Sequence, residues 1–330
     1  MMEYYKDEVY KKDVETALSS IINAERLKNK RVLVTGASGL IGSFIADVLL
    51  QAGGYVFVAG RNKATLNERF PGANVLQYDL AKEIEFDESF DYIIHAAGYG
   101  HPAAFREDPV GILLNSVNGT AQMLNYAIAH DVKRFLYVSS GEVYGSVNSA
   151  SFRACYPIGK QAGENLCASF FYKYGLDTVI ARLCHIFGPG ASEQDNRATA
   201  QFFRNAKNKE DIVLKSKGEQ RRSYLYVADS ASAILTLLTT GESGKSYDIA
   251  SDDSIITIAE LADSIAKLAG VKVVFDLPND IEKQEQTPIN EQVLDGEELT
   301  KLGWKSRYNL SEGVADTLSS VEKTTKTEVL

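Results

Sequence analysis

Cysteine is scarce in this chain: Cys155, Cys167 and Cys184 are the only three. An odd number without C-x-x-C spacing excludes a disulfide framework and points to a reducing compartment, with the three acting as small core residues. Histidine is as thin. His95, His101, His130 and His185 stand far apart without metal-ligand spacing, so no metal site is assigned. An excess of cations is lacking too: 35 Lys and Arg against 44 Asp and Glu leave a net charge of -9. No overall basic field exists to draw nucleic acid or an anionic membrane surface, although a local basic pocket for a phosphate ligand is compatible with it. Long apolar runs are missing as well. The opening MMEYYKDEVYKKDVETALSS has no apolar core of secretory-signal length, and no later run is long enough to span a bilayer. The expectation is a cytoplasmic protein whose partner is a small molecule.

The 330 residues, 45% hydrophobic and 24% charged, suffice for a large buried core. Residues 1–30 read as a helical extension, with Val14, Leu18, Ile21, Ile22 and Leu27 forming an apolar stripe. From Arg31 short apolar runs alternate with helical stretches: RVLV, YVFVA, NVLQY, DYIIHA, RFLYVSS and DTVIARL. That rhythm predicts an α/β fold, a doubly wound parallel (Rossmann) sheet over 31–183. Beyond Gly188-Pro189-Gly190 the elements are mixed, and 184–330 reads as a smaller substrate-binding region from which some elements return to the sheet. The segment DLPNDIEKQEQTPINE, with Pro278 and Pro288, reads as a surface loop beside the cleft.

In RVLVTGASGLIG, Gly36, Gly39 and Gly42 lie between a strand and an amphipathic helix, the context a dinucleotide fingerprint requires. Glycines let backbone approach a pyrophosphate, and the helix N-terminus offers unpaired N–H groups and partial positive charge. Ser38, Leu40 and Ile41, between and beside those glycines, belong to the same cradle. The second strand ends at Arg61 rather than at the acidic residue that bonds an adenine ribose, so NAD and NADP both stay open. Asp79, followed by Leu80, stands after the third strand, placed to accept from an adenine amine. Ala96, Ala97 and Gly98 after the fourth strand let a cofactor pass close to the backbone.

The fifth strand delivers Ser139, Ser140 and Glu142 to the C-terminal edge of the sheet, where open α/β folds place their chemistry. Tyr156 and Lys160, four apart at the start of a helix, share a face, and the ammonium is expected to lower the phenol's pKa from near ~10 toward neutral. The phenolate then takes a hydroxyl proton while hydride leaves for a nicotinamide, with Ser140 bonding the same oxygen.

With these motifs the chain resembles the extended short-chain dehydrogenase/reductase superfamily, its nucleotide-sugar epimerases, dehydratases and decarboxylases, over about residues 30 to 310. The closest pattern is that of UDP-glucuronate decarboxylases: Arg153 to Tyr156, Gly188-Pro189 and Arg222-Ser223-Tyr224. The resemblance implies a nucleotide-diphosphate sugar substrate, a homodimer through the helices flanking the fifth strand, Arg222 on a substrate phosphate, and Arg197 among the substrate-binding residues. It also implies that Asn118 steadies the active-site strands. His185 replaces an asparagine usual near the substrate diphosphate, and Gln286 replaces an arginine of the decarboxylases. Gly141 stands where many 4,6-dehydratases have an acid, while Glu142 matches a glutamate of dehydratases and decarboxylases. The expected activity is oxidation at the sugar's C4 followed by dehydration. Epimerisation and decarboxylation are the alternatives, and a dinucleotide-binding sensor without chemistry is the contrasting class.

Overall fold

The computed structural model describes residues 7–100, 102–145, 148–192, 195–276 and 291–327. Seven strands build the main sheet: β1 (Arg31–Thr35), β2 (Tyr55–Gly60), β3 (Asn74–Gln77), β4 (Tyr92–His95), β5 (Arg134–Ser140), β6 (Thr178–Leu183) and β10 (Ser246–Ile249). They lie in the order β3-β2-β1-β4-β5-β6-β10, every neighbour parallel. The strands are apolar on both faces because both are covered. Val32, Val34, Val56 and Val58 enter one core, while Leu33, Phe57, Ile93 and Phe135 enter the other.

The helices α2 (Leu40–Gln51) and α8 (Val227–Thr240) pack together on one face. On the other lie α5 (Pro109–Ala129) and α6 (Cys155–Tyr174), which ends at Gly175 in the left-handed conformation that halts a helix. The order reverses between β1 and β4, which sets a crevice at their C-terminal ends. The seventh strand and α8 come from beyond residue 183, so the sheet is completed late in the chain.

The remaining elements cap that end of the sheet. β9 (Arg221–Tyr226) pairs with β7 (His185–Phe187), β11 (Ile255–Thr257) and β13 (Glu291–Gln292), and β8 (Ile212–Leu214) pairs with β12 (Val273–Phe275). Four helices accompany them: α7 (Ala198–Lys207), α9 (Ile258–Ala269), α10 (Glu297–Lys301) and α11 (Leu310–Thr327). The loop expected at DLPNDIEKQEQTPINE, Gln286 included, lies almost wholly outside the described residues.

The N-terminal extension is not one continuous helix. It forms α1 (Glu8–Ser19) and a 3-10 turn at Ala24–Leu27, separated at Asn23, whose φ is +57°. Tyr10, Val14, Ala17, Ile21 and Leu27 are buried, and each large apolar side chain so placed contributes about 1.5–3 kcal/mol. Buried Asp13 accepts from Tyr226 Oη at 2.5 Å and Tyr308 Oη at 2.7 Å. Thr239 Oγ1 donates to the Ile22 carbonyl at 2.7 Å. The extension is therefore part of the core that carries α8.

Candidate active site

The glycine loop joins β1 to α2 in a close approach of backbones. Gly36 has φ +70°, and a Cβ there would stand 2.7 Å from the Ala96 carbonyl oxygen. Gly42 abuts the Gly36 carbonyl so closely that no side chain fits. Gly39 caps α2 without a side-chain hydrogen bond, so the first N–H groups of the helix have no side-chain acceptor at the cap. Ser38 is exposed, Ile41 half-buried and Leu40 buried. This cradle fits a pyrophosphate: small residues where backbones meet, and a bare helix N-terminus above them.

The fourth strand end is fixed by a buried histidine. His95 Nδ1 lies 2.9 Å from Thr35 Oγ1, which accepts from the Ala97 N–H at 3.1 Å. Burial pushes the imidazole down to about 3, so it is neutral and structural. Arg61 is exposed at the end of β2, and Asp79, half-buried, accepts from the Ala81 N–H at 3.1 Å. Leu80 is buried against Gly119, which makes its side chain core. Gly98 is exposed and faces Lys160, whose Nζ would stand 3.5 Å from a Cβ there.

Ser140, Glu142, Tyr156 and Lys160 come together from β5, the turn after it and the start of α6. Ser140 Oγ accepts from the Glu142 N–H at 3.2 Å and hydrogen-bonds Tyr156. The Lys160 ammonium is held on the strand backbone. Its Nζ donates to the Val138 carbonyl at 2.7 Å and lies 5.0 Å from the centre of the Tyr137 ring, and burial brings its pKa down to about 8. The Tyr156 phenol is pushed up to about 12, by burial first and by the Glu142 carboxylate second, against the Ser140 hydrogen bond and Arg197. A shared helix face is insufficient here because desolvation dominates.

Phe105, on α4 (Pro102–Glu107), stacks on the Tyr156 ring at 5.0 Å and 20°. Arg153 lies 5.8 Å over the Phe105 ring and 4.0 Å from the Glu142 carboxylate. Burial raises the Glu142 carboxyl above its usual range, with Arg153 and then Arg222 drawing it back. Gly141 does not face open space: a Cβ there would meet Leu294 at 2.8 Å.

Glu142 lines a cavity of about 410 Å³ between the main sheet's edge and the capping elements. Arg153, Arg197, Arg204, Lys207 and Arg222 line it too, with Asp195 as the second acid. Arg222 is 2% exposed on the central strand of the capping sheet and donates to the Arg221 carbonyl at 2.8 Å. Arg197 holds Asp195 through two guanidinium nitrogens, at 3.0 and 2.5 Å. His185 lines the same cavity, its Nδ1 buried without a partner among the described residues. Burial, then Arg222 and Arg197, push its imidazole down to about 3, so it is uncharged.

Asn118 stands exposed on α5, whereas Ser116, two residues earlier, is the side chain that meets Gly159 of α6. Sequence reasoning passed over Phe105, Arg204 and Lys207, and took Arg153 only as part of a pattern. Arg197, Arg204 and Lys207 fall on one side of α7, a spacing visible in the sequence, but which side faces the cleft is a tertiary matter. Among the described residues no cluster of three or more His, Cys, Asp or Glu that could hold a metal is present, and no helix is long and apolar enough to cross a membrane.

The model of the NAD dependent epimerase/dehydratase family matches residues 32–250, from the glycine-loop strand through the last strand of the sheet. The chain belongs to that family. A UDP-glucuronic acid decarboxylase of Arabidopsis thaliana is 27% identical over 310 residues, 87% of each chain. Among solved structures, the epimerase Mth375 of Methanothermobacter thermautotrophicus superposes with a TM-score of 0.81 at 21% identity, covering 94% of this chain and 97% of that one. The UDP-glucose 4-epimerase of Thermotoga maritima, solved with UDP-glucose, superposes at 0.77 and 23% identity, covering 89% and 99%. These likenesses establish the fold. With the family they make this chain an NAD-dependent epimerase/dehydratase-type enzyme.

Proposed function

We propose that the protein oxidises a nucleotide-activated sugar at C4 and then removes water from the 4-ketose. The observation that carries this reading is Glu142, a cavity carboxyl raised by burial, coupled to Tyr156 and seated beside Ser140. Oxidation needs the phenol alone, and a second proton-transfer group serves chemistry at the neighbouring carbon. NAD, when bound, supplies a hydride acceptor and later a hydride donor. The glycine loop and Ala96 to Gly98 would hold it.

Tyr156 takes the C4 hydroxyl proton. It reaches the phenolate form only with added positive charge close by, because burial and the Glu142 carboxylate together push it up to about 12. Glu142 then removes the C5 proton, acidified by the C4 ketone. The C–H electrons form C5=C6, the C6–O bond breaks, and Glu142 passes the proton to the departing hydroxyl. One carboxyl serves both ends because Leu294 fills the space beside Gly141. After hydride returns to C6, the proton Tyr156 took balances the one C5 regains, and the net change is loss of one water. Arg222 and His185, which line the cavity, would meet the substrate diphosphate.

Decarboxylation is the second reading, favoured by Arg153 at 4.0 Å from Glu142, a cation suited to a sugar carboxylate. In that case the 4-ketone makes the C6 carboxylate a β-keto acid, CO2 leaves, and Glu142 protonates C5. The test incubates the NAD-loaded protein with UDP-, GDP-, CDP- and dTDP-hexoses and with UDP-glucuronate, products being followed by mass and NMR. Loss of water supports the first reading and loss of carbon dioxide the second. An isomer of unchanged mass overturns the role given to Glu142, and inertness toward the whole panel overturns the nucleotide-sugar reading.

A further inference from the structure

A row of polar side chains crosses three adjacent strands of the main sheet near their C-terminal ends. Ser139 on β5, Arg182 on β6 and Asp248 on β10 are register partners. Glu164 of α6 lies over the row: it accepts from Ser139 Oγ at 2.5 Å and from Arg182 Nε and Nη2 at 3.0 and 2.6 Å. A guanidinium gripped at two nitrogens is fixed in direction as well as in place. Its third nitrogen, Nη1, donates to Tyr144 Oη at 2.6 Å, and that hydroxyl donates to Asp248 Oδ1 at 2.8 Å. The guanidinium also lies 4.9 Å from the centre of the Tyr144 ring. The backbone ladder already joins the three strands, so the row is not needed to hold the sheet together.

Tyr144 closes the 3-10 turn Gly141–Tyr144, which carries Glu142. A single turn has little stability of its own, and with three residues per turn, positions two apart diverge by about 120°. Glu142 accordingly lines the cavity while Tyr144 is 57% exposed. Burial therefore does little to hold the Tyr144 end, and the two hydrogen bonds of its hydroxyl hold it instead. The rest of the turn is pinned by the Glu142 N–H, which donates to Ser140 Oγ at 3.2 Å, and by Gln161 Nε2, which donates to the Val143 carbonyl at 2.8 Å. Asp248 accepts a second hydrogen bond, from the backbone N–H of Asp295, next to the Leu294 that fills the space at Gly141. One junction thus ties the turn to α6, β6, β10 and the segment that covers it.

We propose that Tyr144 is a positioning residue: clamped between Arg182 and Asp248, it fixes the turn that carries Glu142 and so holds the carboxylate at the sugar's C5. The inference deepens the role given to Glu142 and rests on it. Proton transfer tolerates little displacement of the transferring group, a shift of ~1 Å costing on the order of 100-fold. Ser140 and Tyr156 belong to β5 and α6, which the sheet and its core hold without the clamp. The clamp therefore acts on the C5 step more than on oxidation.

The test compares NAD-loaded Tyr144→Phe, Asp248→Ala and Asp248→Asn with the parent on UDP-, GDP-, CDP- and dTDP-hexoses and UDP-glucuronate in deuterated buffer. Two rates are read on each sugar that is oxidised: deuterium uptake at C5, and nicotinamide absorbance in a single turnover. In Tyr144→Phe, which keeps the ring and loses the hydroxyl, the ratio of C5 uptake to hydride transfer falls ~10–100-fold, in kcat and with little change in KM. Asp248→Ala repeats the fall, and Asp248→Asn, which keeps an acceptor oxygen, retains most of the parent's ratio. A Tyr144→Phe ratio within about twofold of the parent's overturns the proposal, and so does an equal fall in both rates, which marks a general loosening of the site. Glu142→Gln is the reference: C5 uptake at the parent's rate in that variant overturns the role of Glu142, and that of Tyr144 with it. Inertness of the parent toward every sugar overturns the nucleotide-sugar reading on which both depend.

Discussion

Replacing Arg153 by glutamine isolates the proton-transfer group from the oxidising set. The guanidinium lies 4.0 Å from the Glu142 carboxylate, with the two side chains 17% and 24% exposed. A pair at that separation is worth about 4 kcal/mol at an effective dielectric of 20. Partial solvent access reduces it to roughly 1–2 kcal/mol, or about one pH unit. The sign follows from the groups present. Burial already raises Glu142, Arg153 and Arg222 pull it down, and removing Arg153 lets it rise further. A base must be ionised, so the acid limb of the C5 step moves to higher pH by about one unit. Hydride transfer, which depends on Tyr156, keeps its own profile. The assay follows deuterium uptake at C5 and, separately, nicotinamide absorbance in a single turnover across pH. An unmoved acid limb for C5 exchange, or equal movement of both profiles, refutes the assignment of Glu142 to C5.

Tyr156→Phe is expected to lower the oxidation rate by ~10²–10⁴ while leaving the NAD dissociation constant unchanged, as read by single-turnover absorbance and calorimetry. Gly163→Ala drives a methyl into the buried Tyr137 hydroxyl and ring. Overpacking costs about 1–3 kcal/mol, against a helix-propensity gain of at most about 1, so the urea midpoint falls. Asp13 is raised to about 6 by burial, so its contribution to stability is fully present below about 4, its unfolded range, and is lost as pH rises through about 6. Asp13→Asn therefore gains stability relative to the parent between pH ~4 and ~7, by up to about 3 kcal/mol, and a parent–variant difference that is flat with pH contradicts the assignment.

Much of the architecture was legible because it is written in local periodicity. The runs RVLV, YVFVA and RFLYVSS hold consecutive apolar residues that point to both faces, and strands covered on both faces tolerate that, so a parallel sheet followed. The glycine loop was equally local. Gly36 needs a left-handed φ, and Gly42 needs a bare Cα against the Gly36 carbonyl, whatever the rest of the chain does. Ser140, Glu142, Tyr156 and Lys160 could be named together because one strand end and the first turns of the following helix hold them.

Packing between distant segments decided the rest. Lys160 was expected to tune Tyr156, yet its ammonium is taken by the Val138 carbonyl and desolvation sets both pKa values. Phe105 reaches Tyr156 from a separate helix, and Leu294 closes the space beside Gly141 from the far end of the chain. The last strand of the sheet arrives only at Ser246–Ile249, after the first of the capping elements. The residue spacing along α7 was readable, but its orientation was not, since a helix's own geometry leaves its rotation about its axis to whatever packs on it. Local sequence determined the sheet, the phosphate cradle and the reacting pair. The tertiary structure decided how those charges meet in the cleft, because burial and approach are set by segments that lie apart in the chain.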